Sequence, residues 1–158
     1  MSAGGSWQER IRRFAARWGR RRDRAGAARD ERDEAGRWGE EIAARRLRGQ
    51  GFKVLGRRIR LGRREEIDIV ARDGPALVFV EVKTRRSEEY GRPIESIGRA
   101  KRLRLSRAAI GYLHRLRRKP DFIRFDVVEV VGRPGDADPV VRHIPNAFPL
   151  EGRLRFPG

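Results

Sequence analysis

The chain has 158 residues, a length that suits one domain with an additional tail, and its 38% of hydrophobic residues allows a modest core. The formal net charge of +17 gives a positive field that attracts polyanions, nucleic acid first and anionic membrane surfaces second. The absence of cysteine excludes disulfides, cysteine catalysis and thiolate metal sites. No apolar run is long enough to span a bilayer or to form a secretory signal, so we expect a soluble, cytoplasmic protein.

Residues 1–36 differ in composition from the rest of the chain. Apolar side chains recur there at helical spacing among arginines, and an almost purely charged stretch follows. We therefore predict a basic N-terminal extension made of an amphipathic helix and a flexible linker. Three alternatives remain open for it, namely a weakly ordered extension without a specific role, a DNA-binding arm and a membrane-contacting helix. The apolar positions of the helix are Trp7, Ile11, Phe14 and Trp18.

Residues 37–150 have the pattern of a globular domain, and residues 151–158 form a short C-terminal tail. An apolar stripe that starts at Trp38 predicts a helix of about three turns, which glycines at positions 49 and 51 end. Three strands with short connections follow, then a helix that ends at Lys119-Pro120, a fourth strand, and a fifth strand as an open alternative.

The lengths of the connections predict how these strands are arranged. Short connections favour an antiparallel meander for the first three strands. The long helical connection favours a right-handed crossover to a parallel fourth strand. The expected fold class is therefore α/β, with a mixed sheet flanked by helices in the order αβββαβ.

Four charged residues lie inside two adjoining apolar strands. Side chains alternate across a strand, so Glu66 and Asp68 share one face of the first strand. By the same alternation, Glu81 and Lys83 share one face of the second. A hairpin loop at residues 73–76 places Asp68 opposite Glu81, about 5 Å apart at Cβ. The same register places Glu66 opposite Lys83 and brings all four charges to one side of the sheet.

Two carboxylates at this distance repel each other, and one would be protonated unless a cation shared the site. Asp68 and Glu81 offer the oxygen ligands that Mg²⁺ prefers, with water completing its octahedron. Such an ion lowers the pKa of a bound water and neutralises charge on a phosphate in the transition state. Lys83 would position the attacking water or hold the phosphate. The alternative is a salt-bridged pair such as Asp68 with Lys83, because ion pairs of this kind are common.

The segments EIDIV and VFVEVKTR, joined by a short hairpin, resemble the PD-(D/E)xK motif of restriction-endonuclease-like nucleases. A longer series of segments is similar, in the same order, to the bacterial YraN-like family, which itself resembles archaeal Holliday-junction resolvases. The resemblance covers residues 37–148 and implies a restriction-endonuclease-like core. The segments are GEEIAARRL, GF, EIDIVARDG, LVFVEVKTR, GRP, AKRLRL and RFDVV.

The resemblance also implies roles for individual residues. By position, Asp68 and Glu81 would be the metal ligands and Lys83 the catalytic lysine. Glu40, on the first helix, matches an additional acid that the resolvases hold near the metal, although a helix N-terminus favours glutamate in any case. Glu66 belongs to the Gly-Glu-Ile-Asp pattern of the family, where it would contact metal-bound water or pair with Lys83.

Three further cations are candidate contacts to nucleic-acid phosphate, namely Arg85 and Arg86 just past the second strand and Lys101 on the later helix. A solvated basic face explains Lys101 equally well. One position departs from the family, because Glu65 stands where the family has glycine. Alternation would point Glu65 away from the charged face unless the strand has only just begun, and Gly62 would then supply the turn.

Together these features predict a Mg²⁺- or Mn²⁺-dependent endonuclease that hydrolyses phosphodiester bonds in DNA. The similarity to junction resolvases implies branched or otherwise structured DNA as the substrate, and a homodimer as the assembly. The alternative is a nucleic-acid-binding protein that retains the fold without catalysis. Retention of Asp68, Glu81 and Lys83 together favours the enzyme. Contacts mainly to phosphate predict binding that weakens steeply with salt.

Overall fold

A computed structural model of the chain describes residues 7–62, 65–89 and 91–152, and for residues 7–25 it describes the backbone alone. The chain divides into two compact units, Met1–Ala35 and Gly36–Gly158, and the β-sheet belongs to the second. The elements, in chain order, are helix α1 (Trp7–Gly49), strands β1 (Lys53–Arg60), β2 (Glu66–Asp73) and β3 (Ala76–Arg85), a 3₁₀ turn (Pro93–Ser96), helix α2 (Arg99–His114), and strands β4 (Phe122–Val131) and β5 (Val140–Phe148).

The five strands form one mixed sheet in the order β1-β2-β3-β4-β5. Strands β1, β2 and β3 are antiparallel neighbours, as their short connections predict, and β5 is antiparallel to β4. Strands β3 and β4 are parallel, and the connection between them carries the 3₁₀ turn and α2. The predicted mixed sheet flanked by helices is therefore confirmed, and it includes the fifth strand. A restriction-endonuclease-like core stays a prediction.

The hairpin between β2 and β3 has the register that the sequence predicts, with Val70 opposite Phe79. Its turn is tighter than predicted, because residues 73 and 76 still pair and only residues 74 and 75 connect the strands. The pairing reaches as far as Ile69 opposite Val80. Toward the beginning of β2, the described ladder with β3 stops at this pair.

Two apolar clusters pack the helices against the sheet. Leu105 and Leu113 of α2 lie in one cluster with Phe79, and Ala43 and Leu47 of α1 lie in the other with Val80. Neighbouring residues of a strand point to opposite faces, so Phe79 and Val80 place the two helices on opposite faces of the sheet. Each large apolar side chain that is fully buried in this way contributes about 1.5–3 kcal/mol.

Helix α1 is continuous through residues 26–36, where the sequence predicts a flexible linker. Alanine, arginine and glutamate make up most of this stretch, and as strong helix formers they favour helix in spite of the glycines at positions 26 and 36. The apolar side chains on which the predicted amphipathic helix depends belong to residues whose side chains lie outside the described part. The predicted C-terminal tail is described only as far as residue 152.

Helix α2 ends at His114, five residues before the predicted stop at Lys119. The ammonium group of Lys119 instead donates hydrogen bonds to the carbonyl oxygens of Leu113 and Leu116, at 2.6 and 3.2 Å. Lys119 thereby caps one carbonyl oxygen at the end of the helix and one in the turn that follows it. In the described ranges, no helix is both long enough and apolar enough to cross a membrane.

The residue that departs from the family pattern, Glu65, lies just before β2, which begins at Glu66. Its carbonyl oxygen accepts a hydrogen bond from the Leu61 N–H at 2.9 Å, which closes a short loop. Gly62 within that loop has a φ of 102°, a conformation that favours glycine. Gly62 therefore occupies a turn conformation just before β2, at the position that the sequence predicts for the turn.

A buried polar cluster joins β4 to β5. Asp126 is completely buried, accepts hydrogen bonds from the Arg124 side chain and the Asn146 N–H, and lies 2.7 Å from His143 Nε2. Burial raises the pKa of Asp126, but the hydrogen bonds of His143, Arg124 and Asn146 outweigh burial and hold that pKa below its ordinary value. The carboxylate therefore stabilises the fold in its ionised form.

Replacement of Asp126 with asparagine should lower the free energy of unfolding by roughly 2 kcal/mol at pH 7, because Arg124 loses its buried counter-charge. A carboxylate with a lowered pKa stabilises the fold above its unfolded-state pKa of about 4, and the effect disappears as the pH falls through the folded-state value. The difference from wild type should therefore shrink below about pH 4. Urea denaturation measures it, with exposed Asp138→Asn as the control, and equal stability of Asp126→Asn and wild type at pH 7 would contradict it.

Candidate active site

Asp68 lies near the beginning of β2, where its Oδ2 accepts a hydrogen bond from the Val82 N–H of β3 at 2.8 Å. Burial raises the pKa of Asp68 to about 7, and the neighbouring charge of Glu81 contributes to the rise. The Val82 N–H and the ammonium group of Lys101 act in the opposite direction. The two carboxylates that the sequence predicts to share a site are therefore close enough to repel each other.

Glu81 is almost completely buried in β3, with 3% of its surface exposed. Its Oε1 lies 3.0 Å from Lys83 Nζ and 3.0 Å from Lys101 Nζ. Its Oε2 is buried and has no hydrogen-bond partner among the described residues. Buried polar atoms are nearly always hydrogen-bonded, so an unpartnered carboxylate oxygen beside a second carboxylate needs an explanation. A cation shared by Asp68 and Glu81 would provide one.

Lys101 is therefore part of the carboxylate cluster, whereas the sequence predicts only a phosphate contact for it. The reason lies in β4, where buried Glu129 fixes the connection that leads to α2. Glu129 accepts hydrogen bonds from the Ile94 N–H and from Arg92 Nη2, both at 2.9 Å. These bonds hold the 3₁₀ turn against the sheet beside Lys83, whose Cα lies opposite that of Glu129. Helix α2 consequently begins where Lys101 reaches Glu81.

Glu40 approaches the site from α1, at a point where the helix lies close to β3. A Cβ atom on Gly39 would lie 1.9 Å from Thr84 Oγ1, so the approach depends on glycine. Burial raises the pKa of Glu40, an effect that Arg58 opposes and Glu66 reinforces. The charge of Glu40 also raises the pKa of Asp68, which places Glu40 near the carboxylate pair. The role near a metal ion that the family resemblance implies for Glu40 stays a prediction.

Glu66 does not pair with Lys83, the partner that the predicted register gives it. Its carboxylate oxygens lie 3.4 Å from Arg58 Nε and 3.0 Å from Arg60 Nε. Lys83 contacts Glu81 on its own strand instead. The reason is that the described pairing of β2 with β3 ends before Glu66, where β1 is the neighbour and Arg60 lies directly opposite.

The carboxylate pair is the part of this site that could hold a metal ion. Within the described ranges, no three side chains of His, Cys, Asp or Glu form a group that could hold one. Two carboxylates nevertheless suit Mg²⁺, which is usually held by one or two of them and keeps several waters. Mn²⁺ accepts the same oxygen ligands. Asp68 and Glu81, with the unpartnered Oε2, therefore fit such an ion.

The two other predicted phosphate contacts, Arg85 and Arg86, lie at and just past the end of β3. Arg85 is the last residue of the strand and is half-buried, and its carbonyl oxygen accepts a hydrogen bond from the Gly132 N–H at 2.8 Å. Arg86 follows it and is exposed. Their positions next to the site are clear, and their role as phosphate contacts stays a prediction.

Arg58 is a site residue that the sequence pattern does not reveal. Its φ of 49° is a left-handed conformation, which costs an arginine on the order of 1–2 kcal/mol. Its Nε lies 3.6 Å from Glu40 Oε2 and 3.4 Å from Glu66 Oε1, and 40% of its side chain is exposed. Ion pairs this exposed contribute at most about 1 kcal/mol. The two ion pairs together are therefore only of the same order as the backbone cost.

Residues 39–130 match the family described as "Uncharacterised protein family UPF0102". The chain belongs to the UPF0102 family. The membership in the YraN-like family that the sequence predicts is thereby confirmed. The matched range contains the carboxylate pair, both lysines, Glu40 and Arg58, so this UPF0102 protein has its whole candidate site within the family region.

Three relatives illustrate the similarity. The UPF0102 protein of Syntrophotalea carbinolica is 49% identical over 119 residues, which are 74% of this chain and 93% of the relative. That of Symbiobacterium thermophilum is 49% identical over 113 residues, 72% of this chain and 94% of the relative. That of Anaeromyxobacter dehalogenans is 44% identical over 129 residues, 82% and 94% respectively. The similarity therefore extends over nearly the full length of each relative.

The raised pKa of Asp68 predicts that this side chain destabilises the fold at alkaline pH. The unfolded chain loses the Asp68 proton near pH 4 and the folded chain at about 7, so stability falls as the pH rises through this window. Asp68→Asn should therefore raise the free energy of unfolding by roughly 2 kcal/mol at pH 8 with EDTA present, and change it little below about pH 4.

Urea denaturation at the two pH values measures this difference. Asp121→Asn is the control, because Asp121 is an exposed carboxylate and should give no pH-dependent gain. A wild-type protein that is as stable as Asp68→Asn at pH 8 would show that the ionised Asp68 side chain does not destabilise the fold.

Proposed function

We propose that this UPF0102 protein is a Mg²⁺- or Mn²⁺-dependent nuclease that hydrolyses phosphodiester bonds in DNA. The observation that carries the proposal is the buried, unpartnered Oε2 of Glu81 beside Asp68, with Lys83 on the other oxygen. The net charge of +17 supports a polyanionic substrate. The resemblance to PD-(D/E)xK nucleases marks the same three residues, and a restriction-endonuclease-like core is part of the proposal.

In this proposal Asp68 and Glu81 hold the ion. When bound, Mg²⁺ supplies a water of lowered pKa and neutralises charge on the phosphate. Asp68 has to be ionised to bind the ion, and its pKa of about 7 makes the ionised form accessible at neutral pH. Lys83 uses one N–H on Glu81 and keeps others to orient the attacking water or to hold a phosphate oxygen.

Lys101 and Glu40 complete the set of polar groups around the reacting phosphate. Lys101 brings a second ammonium group to Glu81, and two cations beside one carboxylate leave positive charge for the phosphate in the transition state. Glu40 is the additional acid near the metal ligands, with Glu66 linked to it through Arg58. Arg85 and Arg86 would contact the DNA backbone on either side.

The substrate class and the assembly follow from the resemblance to junction resolvases. It extends the proposal to branched or structured DNA, and to a homodimer as the active assembly. No base-reading element is needed for a substrate recognised by its shape, and contacts to phosphate position the strand. Sedimentation of the full chain with and without a four-way junction tests the dimer directly.

Cleavage assays on linear, single-stranded and four-way-junction DNA test the proposed activity. Wild type with Mg²⁺ or Mn²⁺ should cleave at least one of them. Asp68→Asn, Glu81→Gln and Lys83→Met should each reduce the rate on the order of 10² to 10³-fold, because each removes a metal ligand or the cation at the phosphate. Their DNA affinity, measured in EDTA, should change much less.

Variant Arg118→Gln is the matched control, since Arg118 is exposed at the other end of β3 and should leave cleavage unchanged. If wild type and Asp68→Asn bind DNA alike and have the same residual activity, the nuclease proposal is wrong. The protein would then be a nucleic-acid-binding protein that retains the site without catalysis.

A further inference from the structure

A cleft of about 510 Å³ lies beside the carboxylate site and is lined by Arg37, Glu40, Arg57 and Arg58. Pockets for small apolar ligands are lined mainly by hydrophobic and aromatic side chains, whereas three of these four residues are arginines. A guanidinium group matches the geometry of phosphate oxygens and binds them through two parallel hydrogen bonds. The lining of the cleft therefore suits a phosphate group.

The irregular backbone of β1 is what brings two consecutive arginines to one cleft. In a regular strand Arg57 and Arg58 would point to opposite faces of the sheet. The left-handed conformation of Arg58 breaks this alternation, and a register shift between Val54 and Gly56 precedes it. Strained residues of this kind cluster at functional sites, and here the strained residue lines the cleft.

The guanidinium groups of the cleft are only partly used by protein partners. Among the described residues, Arg37 has no partner in a hydrogen bond or an ion pair. Arg57 bonds to Glu41 through Nη1, and Arg58 approaches Glu40 and Glu66 through Nε. An arginine has five N–H donors, so Arg57 and Arg58 both keep donors for a ligand.

We propose that this cleft binds a backbone phosphate of DNA close to the phosphate that is cleaved. The inference rests on the proposed function, because the nuclease supplies the ligand. Glu40 lines the cleft, and its charge acts on Asp68, so the cleft lies near the carboxylate pair. The phosphate bound in the cleft would therefore belong to the same DNA strand as the cleaved phosphate. Arg37 and Arg58 hold its oxygens. The cleft thereby sets where along the strand the cleavage falls.

The salt dependence of DNA binding tests the role of Arg37. Fluorescence anisotropy of labelled DNA in EDTA, over about 50 to 200 mM salt, gives the dissociation constant without cleavage. Arg37→Gln should weaken binding about tenfold and lower the slope of log Kd against log salt by about one, as expected for one lost phosphate contact. The control Arg118→Gln should change the slope by less than half as much. Equal slopes in the two variants would overturn the proposal.

The variant Arg58→Asn separates a binding role from a structural one. Asparagine tolerates the left-handed backbone and lacks the guanidinium group. If Arg58 binds phosphate, DNA affinity should fall several-fold while the melting temperature stays equal to that of wild type or rises. If Arg58 serves only to hold Glu40 and Glu66, the melting temperature should fall while DNA affinity is kept, and that result would overturn the proposal.

The two proposals fail in distinguishable ways. Loss of cleavage in Asp68→Asn together with a wild-type salt slope in Arg37→Gln would reject the cleft and leave the nuclease in place. A reduced slope in Arg37→Gln, in a protein that cleaves no DNA, would reject the nuclease and support the cleft as a site for DNA phosphate.

Discussion

Two neighbouring carboxylates, half-buried Asp68 and buried Glu81, are the constraint on which the rest of the site depends. Burial and the charge of Glu81 raise the pKa of Asp68 to about 7, and Glu81 Oε2 finds no partner in the described part of the chain. The Val82 N–H and two lysines reduce the cost of the pair without removing it. Stability given up in this way is common at functional sites, where chemistry requires an arrangement that folding alone would not favour.

The architecture around this pair brings charges from separate elements to one end of β3. Gly39 lets α1 approach the strand closely enough for Glu40 to lie near Asp68. Glu129 fixes the 3₁₀ turn against the sheet, and α2 then delivers Lys101 to Glu81. The close packing at Gly39 and the hydrogen bonds of Glu129 lie outside the site, and each determines the position of one site residue.

Features that depend on local patterns could be predicted from the sequence, and features that depend on distant contacts could not. The register of the hairpin follows from the alternation of side chains and from a strong turn signal, so the sequence alone predicts that Asp68 and Glu81 lie close together. The partner of Glu66 could not be predicted, because it depends on where the pairing of β2 with β3 ends and leaves β1 as the neighbouring strand. Nothing in the local pattern signals the left-handed Arg58. The helix propensity of residues 26–36 favours the helix that the structure has there, whereas their charged composition suggested a linker.

Direct binding of Mn²⁺ tests most directly whether Asp68 and Glu81 form a metal site. Titration of the full chain at pH 8, followed by the electron paramagnetic resonance signal of the free ion, measures binding without any assumption about activity. Wild type should bind about one equivalent of Mn²⁺ that Mg²⁺ displaces, and Glu81→Gln should weaken this binding about tenfold or more, because it removes one of two carboxylate ligands. Equal binding of Mn²⁺ by wild type and Glu81→Gln would contradict the assignment.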